Sequence, residues 1–228
     1  MDEKKQTLLN EPKSRRVLSL INVDRAISEL RQGRFIAIRG ANGEALIAQA
    51  SEGVNSDSFQ KLKQVSDVKP FLAITAKRAA VLGLEQSAGS VVTLVTNPPL
   101  TAEIAIAISD PLIDLSLEGV SILSQVPKNV DRENAAVTLT KLARLLPSAL
   151  IAHLDSQEGL DLEHWAIRQN VVLVNVDDIF QYVKTSTSAL DIVSEARVPL
   201  IDAENTKVIT FRPHDGGVEH LAIIIGSP

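Results

Sequence analysis

Four histidines, His153, His164, His214 and His220, are the first residues to weigh for chemistry, because imidazole exchanges protons near neutral pH and ligates metals. No two of them stand at i, i+4 spacing, and none adjoins a dense run of carboxylates, so they spell out no metal site. His153 ends an apolar run, which suits an interior or rim imidazole. His164 stands beside Trp165 in a helical stretch and reads as a surface residue. His214 falls in a turn, and His220 opens a strand. Asp110 and Asp114 flank a proline segment and could pair as carboxylates, although turn and cap roles are the commoner use of such residues. The run Asp131-Arg132-Glu133-Asn134 reads as a helix cap with acids in the first turn, where negative charge suits the helix dipole. Gly40-Ala41-Asn42-Gly43 is too short for a phosphate cradle and leads into a strand, so a hairpin is the better reading. Taken residue by residue, no catalytic constellation emerges.

Composition narrows the classes. The chain has 228 residues, 45% of them apolar, enough for a sizeable core and one or two domains. The net charge of -5 and the 3% aromatic content argue against a basic, base-stacking nucleic-acid surface. The absence of cysteine excludes disulfides, thiolate metal sites and cysteine nucleophiles. Residues 1–16 are polar and read as a mobile segment rather than a secretory signal, and no apolar run is long enough to span a membrane. The expectation is a soluble cytoplasmic protein with no nucleic-acid or membrane partner.

The elements that must position these residues are legible in outline. Asp24 to Arg31 has helical spacing, capped by Asn22 or Asp24 and stopped by Gly33. Phe35 to Ala50 reads as a hairpin turning at Asn42-Gly43, the dipeptide of a two-residue type I′ turn. A helix opens at Asn55-Ser56-Asp57, residues 71–75 form a strand, and Ala76 to Leu82 a helix ended by Gly83. The alternation in SVVTLVT and in EIAIAIS predicts two strands around Asn97-Pro98-Pro99. Residues 110–131 are expected to be short and irregular. A helix follows over Asn134 to Leu145, closed by Pro147, then a strand over 149–154, a helix over Leu160 to Gln169, a strand over 171–176 and a helix over Val176 to Lys184. Strands alternating with helices imply an α/β layered domain. After residues 185–188 three strand-like pieces, ARVPLI, KVITFRP and EHLAIIIG, predict an antiparallel sheet. Its apolar edge needs a cover, which implies either a chain that continues or a second subunit.

Several stretches in order resemble a known family. NVDRAISELRQGRFIAI, ALIAQASEGVNSDSFQKL and FLAITAKRAAVLGL resemble the first third of 3,4-dihydroxy-2-butanone 4-phosphate synthase, which forms a four-carbon riboflavin precursor from ribulose 5-phosphate. NAAVTLTKLARLLPSALIAHL and LEHWAIRQNVVLVNVDDIFQYV resemble its later helix–strand units. The tail, VSEARVPLIDAENTKVITFRPHDGGVEHLAIIIG, is similar to the opening strands of GTP cyclohydrolase II. The resemblance implies an α/β (α+β layered) synthase-like domain over 17–187 behind a flexible segment 1–16. Residues 188–228 would then be an incomplete cyclohydrolase-like domain, a short antiparallel β extension.

The departures from the family bear on function. Its acidic loop, of the form D-R-E-N-E-G-D, binds magnesium and does acid–base work. Here Arg39-Gly40-Ala41-Asn42-Gly43-Glu44-Ala45 stands in its place with one carboxylate. Its G-H-T-E-A segment aligns with residues 130–135, with Arg132 in place of the histidine and Asn134 in place of the glutamate. His153 replaces the glutamate of the following strand. The resemblance therefore implies a degenerate synthase domain at the N-terminal side of a GTP cyclohydrolase II, serving folding, dimerisation or regulation as a homodimer. Zinc is expected only in the cyclohydrolase part, and no metal or other cofactor in this chain. A second reading makes Arg39, Glu44, Arg132 and His153 a remnant pocket sensing a phosphorylated metabolite, nucleotide or flavin. A third keeps residual synthase activity.

Overall fold

The computed structural model describes residues 13–66, 69–84, 90–113, 121–125, 131–154, 161–186, 190–213 and 218–226. The chain divides into two compact units, 1–179 and 180–228. The composition change lies at 185–188, whereas the packing divides inside the helix Val176–Ser186 (α7).

In the first unit, helix α1 (Lys13–Arg31) starts well before the predicted Asp24 and takes in residues 13–16. Its Val23, Ala26, Ile27 and Leu30 are buried at i, i+3, i+4 and i+7 spacing, the stripe by which the helix packs, while Leu18 and Ile21 are exposed. It ends as predicted at Gly33, whose φ of 71° is the left-handed stop. Arg34 N–H donates to Glu29 O at 2.9 Å and Gly33 N–H to Leu30 O at 3.0 Å, satisfying the last carbonyls. Strands β1 (Ile36–Arg39) and β2 (Ala45–Ala50) form the hairpin, and a 3-10 turn (Ser51–Gly53) leads to α2 (Ser56–Val65), which Asn55 caps. Strand β3 (Phe71–Thr75), helix α3 (Ala76–Val81) and strand β4 (Val91–Asn97) follow.

The predicted second strand in EIAIAIS is instead helix α4 (Ala102–Ser109). Thr101 accepts a hydrogen bond from Ile104 N at 3.2 Å, and Ala102, Ala105, Ile108 and Ser109 are its buried residues. An Ile–Ala alternation fits period 2 on paper, but the cap and the burial follow period 3.6, and tertiary packing decides. Strand β5 (Ser121–Gln125) lies in the stretch expected to be irregular. Helix α5 (Asp131–Leu142) starts three residues before the predicted Asn134, and Arg144 stops it at φ 61° before Pro147 is reached. Strand β6 (Ser148–His153), helix α6 (Leu162–Gln169) and strand β7 (Val172–Asn175) complete the unit, with α7 starting at Val176. Asp114 and His214 lie outside the described residues.

The seven strands run β5-β4-β3-β6-β2-β1-β7, antiparallel except for the parallel β1–β7 pair. Ala37, Ile47, Leu72, Leu150 and Ala152 share one sheet face and cluster with Phe59 and Leu62 of α2, Ala105 of α4 and Trp165 of α6. Helices α1 and α5, packed on one another, cover the other face. Both faces being covered explains why β2 is buried at every residue. Among the described residues, no helix is long and apolar enough to cross a membrane.

The second unit holds a three-stranded antiparallel sheet ordered β10-β9-β8, from β8 (Leu190–Arg197), β9 (Thr206–Pro213) and β10 (His220–Ile225). Its first strand is LDIVSEAR rather than the expected ARVPLI. Pro199 brings no N–H to a ladder, and the chain turns through a Leu200–Ala203 bridge with Asp202 at φ 68°.

Candidate functional site

The hairpin loop differs from the two-residue turn expected of Asn42-Gly43. Gly43 N–H donates to Gly40 O at 3.2 Å, Gly40 N–H donates to Glu44 O at 2.7 Å, and only Gly43 takes a positive φ, 82°. This is a three-residue loop of the turn-plus-left-handed-glycine type. It places Glu44 at the mouth of β2, 3.5 Å from Arg132 Nη2. Arg132 Nη1 donates to Ala45 O at 3.2 Å, and the Arg132 side chain is only 8% exposed. Its methylene stem lies over Gly40: a Cβ there would stand 3.1 Å from Arg132 Cδ. Arg132 thus fastens the loop to the start of α5 by packing, by hydrogen bond and by charge.

One residue further along α5, Glu133 is buried and receives a hydrogen bond from Nε2 of His153 at 2.8 Å. The Phe71 ring meets the imidazole edge-on with centroids 4.9 Å apart, and Ser66 Oγ donates to His153 O at 2.7 Å. The second carboxylate oxygen of Glu133, Oε2, has no hydrogen-bond partner among the described residues. A carboxylate that holds one imidazole nitrogen fixes the tautomer and can prepare a base. Sequence reasoning missed Glu133 by reading it as a first-turn acid. The signal was present: residues 133, 136, 137 and 140 recur at helical spacing and are all buried.

Of the four residues read as a remnant pocket, the structure brings Glu44 and Arg132 into contact and sets His153 on Glu133, Arg132's neighbour in α5. Arg39 stands apart. Its register opposite Ala45, against that of His153 opposite Leu46, puts the two side chains on opposite sheet faces. Arg39 instead pairs with Glu163 of α6 at 3.2 Å. His164 is exposed, with Nδ1 2.6 Å from Asp161 Oδ2. Those contacts hold the Asp161 carboxyl below its ordinary range, the His164 side chain first and the His164 backbone N–H second.

No family model matches the chain. The GTP cyclohydrolase-2 of Azospirillum brasilense is 42% identical over 210 residues, 90% of this chain and 54% of that protein. The riboflavin biosynthesis protein RibBA of Salinispora tropica is 28% identical over 106 residues, 44% of this chain and 26% of its own length. The chain spans about half the length of the first curated relatives it matches. Among solved structures, RibBX, a two-domain 3,4-dihydroxy-2-butanone 4-phosphate synthase from A. baumannii, has a TM-score of 0.58 over 90% of this chain and 70% of its own, at 15% identity. A 3,4-dihydroxy-2-butanone 4-phosphate synthase in complex with two magnesium ions has a TM-score of 0.56 over 72% of this chain and 97% of its own, at 17% identity.

The fold is that of 3,4-dihydroxy-2-butanone 4-phosphate synthase. The α/β architecture with a small antiparallel sheet at the C-terminal side, expected from the resemblance, is thereby borne out. On this synthase fold the residues present do not fit magnesium. A hard divalent ion needs several oxygen ligands, most of them carboxylate or carbonyl. Here the loop's one carboxylate, Glu44, faces the Arg132 guanidinium at 3.5 Å. One Glu133 oxygen is taken by His153, and among the described residues no three His, Cys, Asp or Glu side chains gather as a metal-binding group.

Proposed function

We propose that this chain is the synthase-like N-terminal region of a GTP cyclohydrolase-2-type riboflavin-biosynthesis protein, and that the region serves structure, dimerisation or regulation without synthase catalysis. The similarity to GTP cyclohydrolase-2 of Azospirillum brasilense supports the pathway. The observation that carries the role is Arg132, whose buried side chain ties Gly40, Glu44 and Ala45 together where the synthase loop would need free carboxylates. A site built to work on a phosphorylated sugar with a metal needs open coordination positions, and a guanidinium seated among the oxygens repels the ion instead.

On this reading the protein is cytoplasmic and homodimeric. Any zinc belongs to a cyclohydrolase part beyond this chain. The test is an assay with ribulose 5-phosphate and magnesium, coupled to light scattering of the same sample. No four-carbon phosphate product and a mass of two chains are expected. Product formed at a rate abolished by Glu133→Gln would overturn the non-catalytic reading, and a monomer at micromolar concentration would overturn dimerisation.

A further inference from the structure

A concavity lies away from the Arg132–His153 cluster, along the open edge of the main sheet. Strand β7 ends the strand order, and among the described residues only β1 pairs with it. Beside it, between α1 and α6, runs a cleft of about 560 Å³. A smaller hollow of about 250 Å³ shares Asn22, Leu173 and Asn175 with it and extends it toward Leu18. The main cleft alone lies within the range of roughly 300–1,000 Å³ usual for small-ligand sites.

Its lining combines two chemistries. Arg25, Arg34 and Arg39 bring three guanidinium groups, against two carboxylates, Glu29 and Glu163. Arg34 and Arg39 are each engaged by one of these at 3.2 Å. Such solvent-exposed pairs contribute little, so an incoming anion can share or replace them at low cost. Arg25 is exposed and has no hydrogen-bond or ion-pair partner among the described residues, and the side-chain amides of half-buried Asn22 and exposed Asn170 likewise have none among them. The apolar part of the lining comes from Ile167, 75% exposed, and from Val171, Val172 and Leu173.

An uncommitted guanidinium suits a phosphate, which accepts its paired N–H groups. Free amides suit the polar edge of a heterocycle, and an exposed isoleucine beside Val171 and Val172 suits its face. We infer that the β7-edge cleft binds a small molecule carrying a phosphate monoester on a heterocycle, with Arg25 as the principal phosphate contact. This site is separate from the Arg132 cluster, and the proposal stands whether or not that cluster is catalytically silent.

Calorimetric titration of the intact chain with guanosine monophosphate, flavin mononucleotide and inorganic phosphate tests it. Saturable binding of at least one nucleotide is expected, tighter than inorganic phosphate; which nucleotide binds tells purine from flavin chemistry. Arg25→Glu should weaken that binding by about tenfold or more, the loss of one charge-assisted contact. Because Arg25 is exposed and has no partner among the described residues, the variant should stay folded, its thermal midpoint lowered at most slightly by repulsion from Glu29 one turn on. Arg168→Glu makes the same charge change on α6 outside the cleft lining and should leave binding unchanged. No saturable heat for any probe up to about 1 mM would overturn the proposal, as would equal losses in the two variants, which would mark a net-charge effect.

Discussion

Arg39 and His153 leave the same sheet on opposite faces, one toward Glu163 of α6 and the other toward Glu133 of α5. The two carboxylate partners differ sharply in exposure: Glu163 is 71% exposed and Glu133 is 1% exposed. Arg39→Ala should therefore cost no more than about 1 kcal/mol, the ordinary value of an exposed pair. Glu133→Ala strands the buried edge of His153 and opens a void, and should cost about 2–4 kcal/mol. Glu133→Gln keeps shape and a hydrogen-bonding group and should cost less. Urea unfolding of the three variants checks the order.

The Arg132 clasp predicts non-additivity. Gly40→Ala would bring a Cβ to 3.1 Å from Arg132 Cδ and should cost about 1–2 kcal/mol in the parent. In an Arg132→Ala background most of that cost should vanish, because the stem it crowds is gone. A double-mutant cycle should give a coupling of roughly 0.5–2 kcal/mol. Strict additivity would mean that the stem does not lie on Gly40.

Helix stops offer a stabilising change. Arg144 ends α5 at φ 61°, a left-handed conformation that a Cβ disfavours by about 1–2 kcal/mol, and its N–H donates to Lys141 O at 2.9 Å. Arg144→Gly should raise stability by roughly 0.5–1 kcal/mol after the glycine's own entropy is counted. A higher thermal midpoint is the expected readout.

Acid should weaken the start of α6. Asp161 accepts from the side chain and the backbone N–H of His164, so its carboxyl titrates lower folded than unfolded. A depressed folded pKa gives stability that is present above the unfolded value and lost as pH falls through the folded one. Asp161→Ala should accordingly lower the thermal midpoint at neutral pH, with the difference from the parent fading in acid. An undiminished difference at low pH would assign the effect to something other than the ionised carboxylate.

The sequence carried the layered fold better than the site. The stripe of Ala26, Ile27 and Leu30 and the stop at Gly33 are local and uncontested, so they read correctly, although the helix start at Lys13 did not. EIAIAIS read as a strand because alternating isoleucine and alanine satisfies both periods, and only Thr101 and the burial of Ala105 and Ser109 break the tie. The hairpin read correctly as a hairpin, but its loop length depends on the Gly40–Glu44 hydrogen bond, which composition does not announce. Glu133 was hidden because a carboxylate in a first helical turn has an ordinary explanation at the surface. Its burial follows from where β6 carries His153, about twenty residues away in sequence, on the sheet face that α5 covers.

The close meeting of Gly33 and Gly53 has its own consequence. A Cβ on Gly53 would fall 2.6 Å from Gly33 Cα, and Gln49 Nε2 donates to the carbonyls of both glycines, at 2.7 Å to Gly33 and 2.8 Å to Gly53. Gln49 therefore acts as a ruler for chain length between the end of α1 and the 3-10 turn. A residue added within Ala41–Gly43 lengthens only the exposed loop and leaves that measurement intact. A residue added inside β2 turns Gln49 to the other sheet face and releases both carbonyls at once. Insertion scanning across this hairpin should thus find a tolerant tip only a few positions from an intolerant strand.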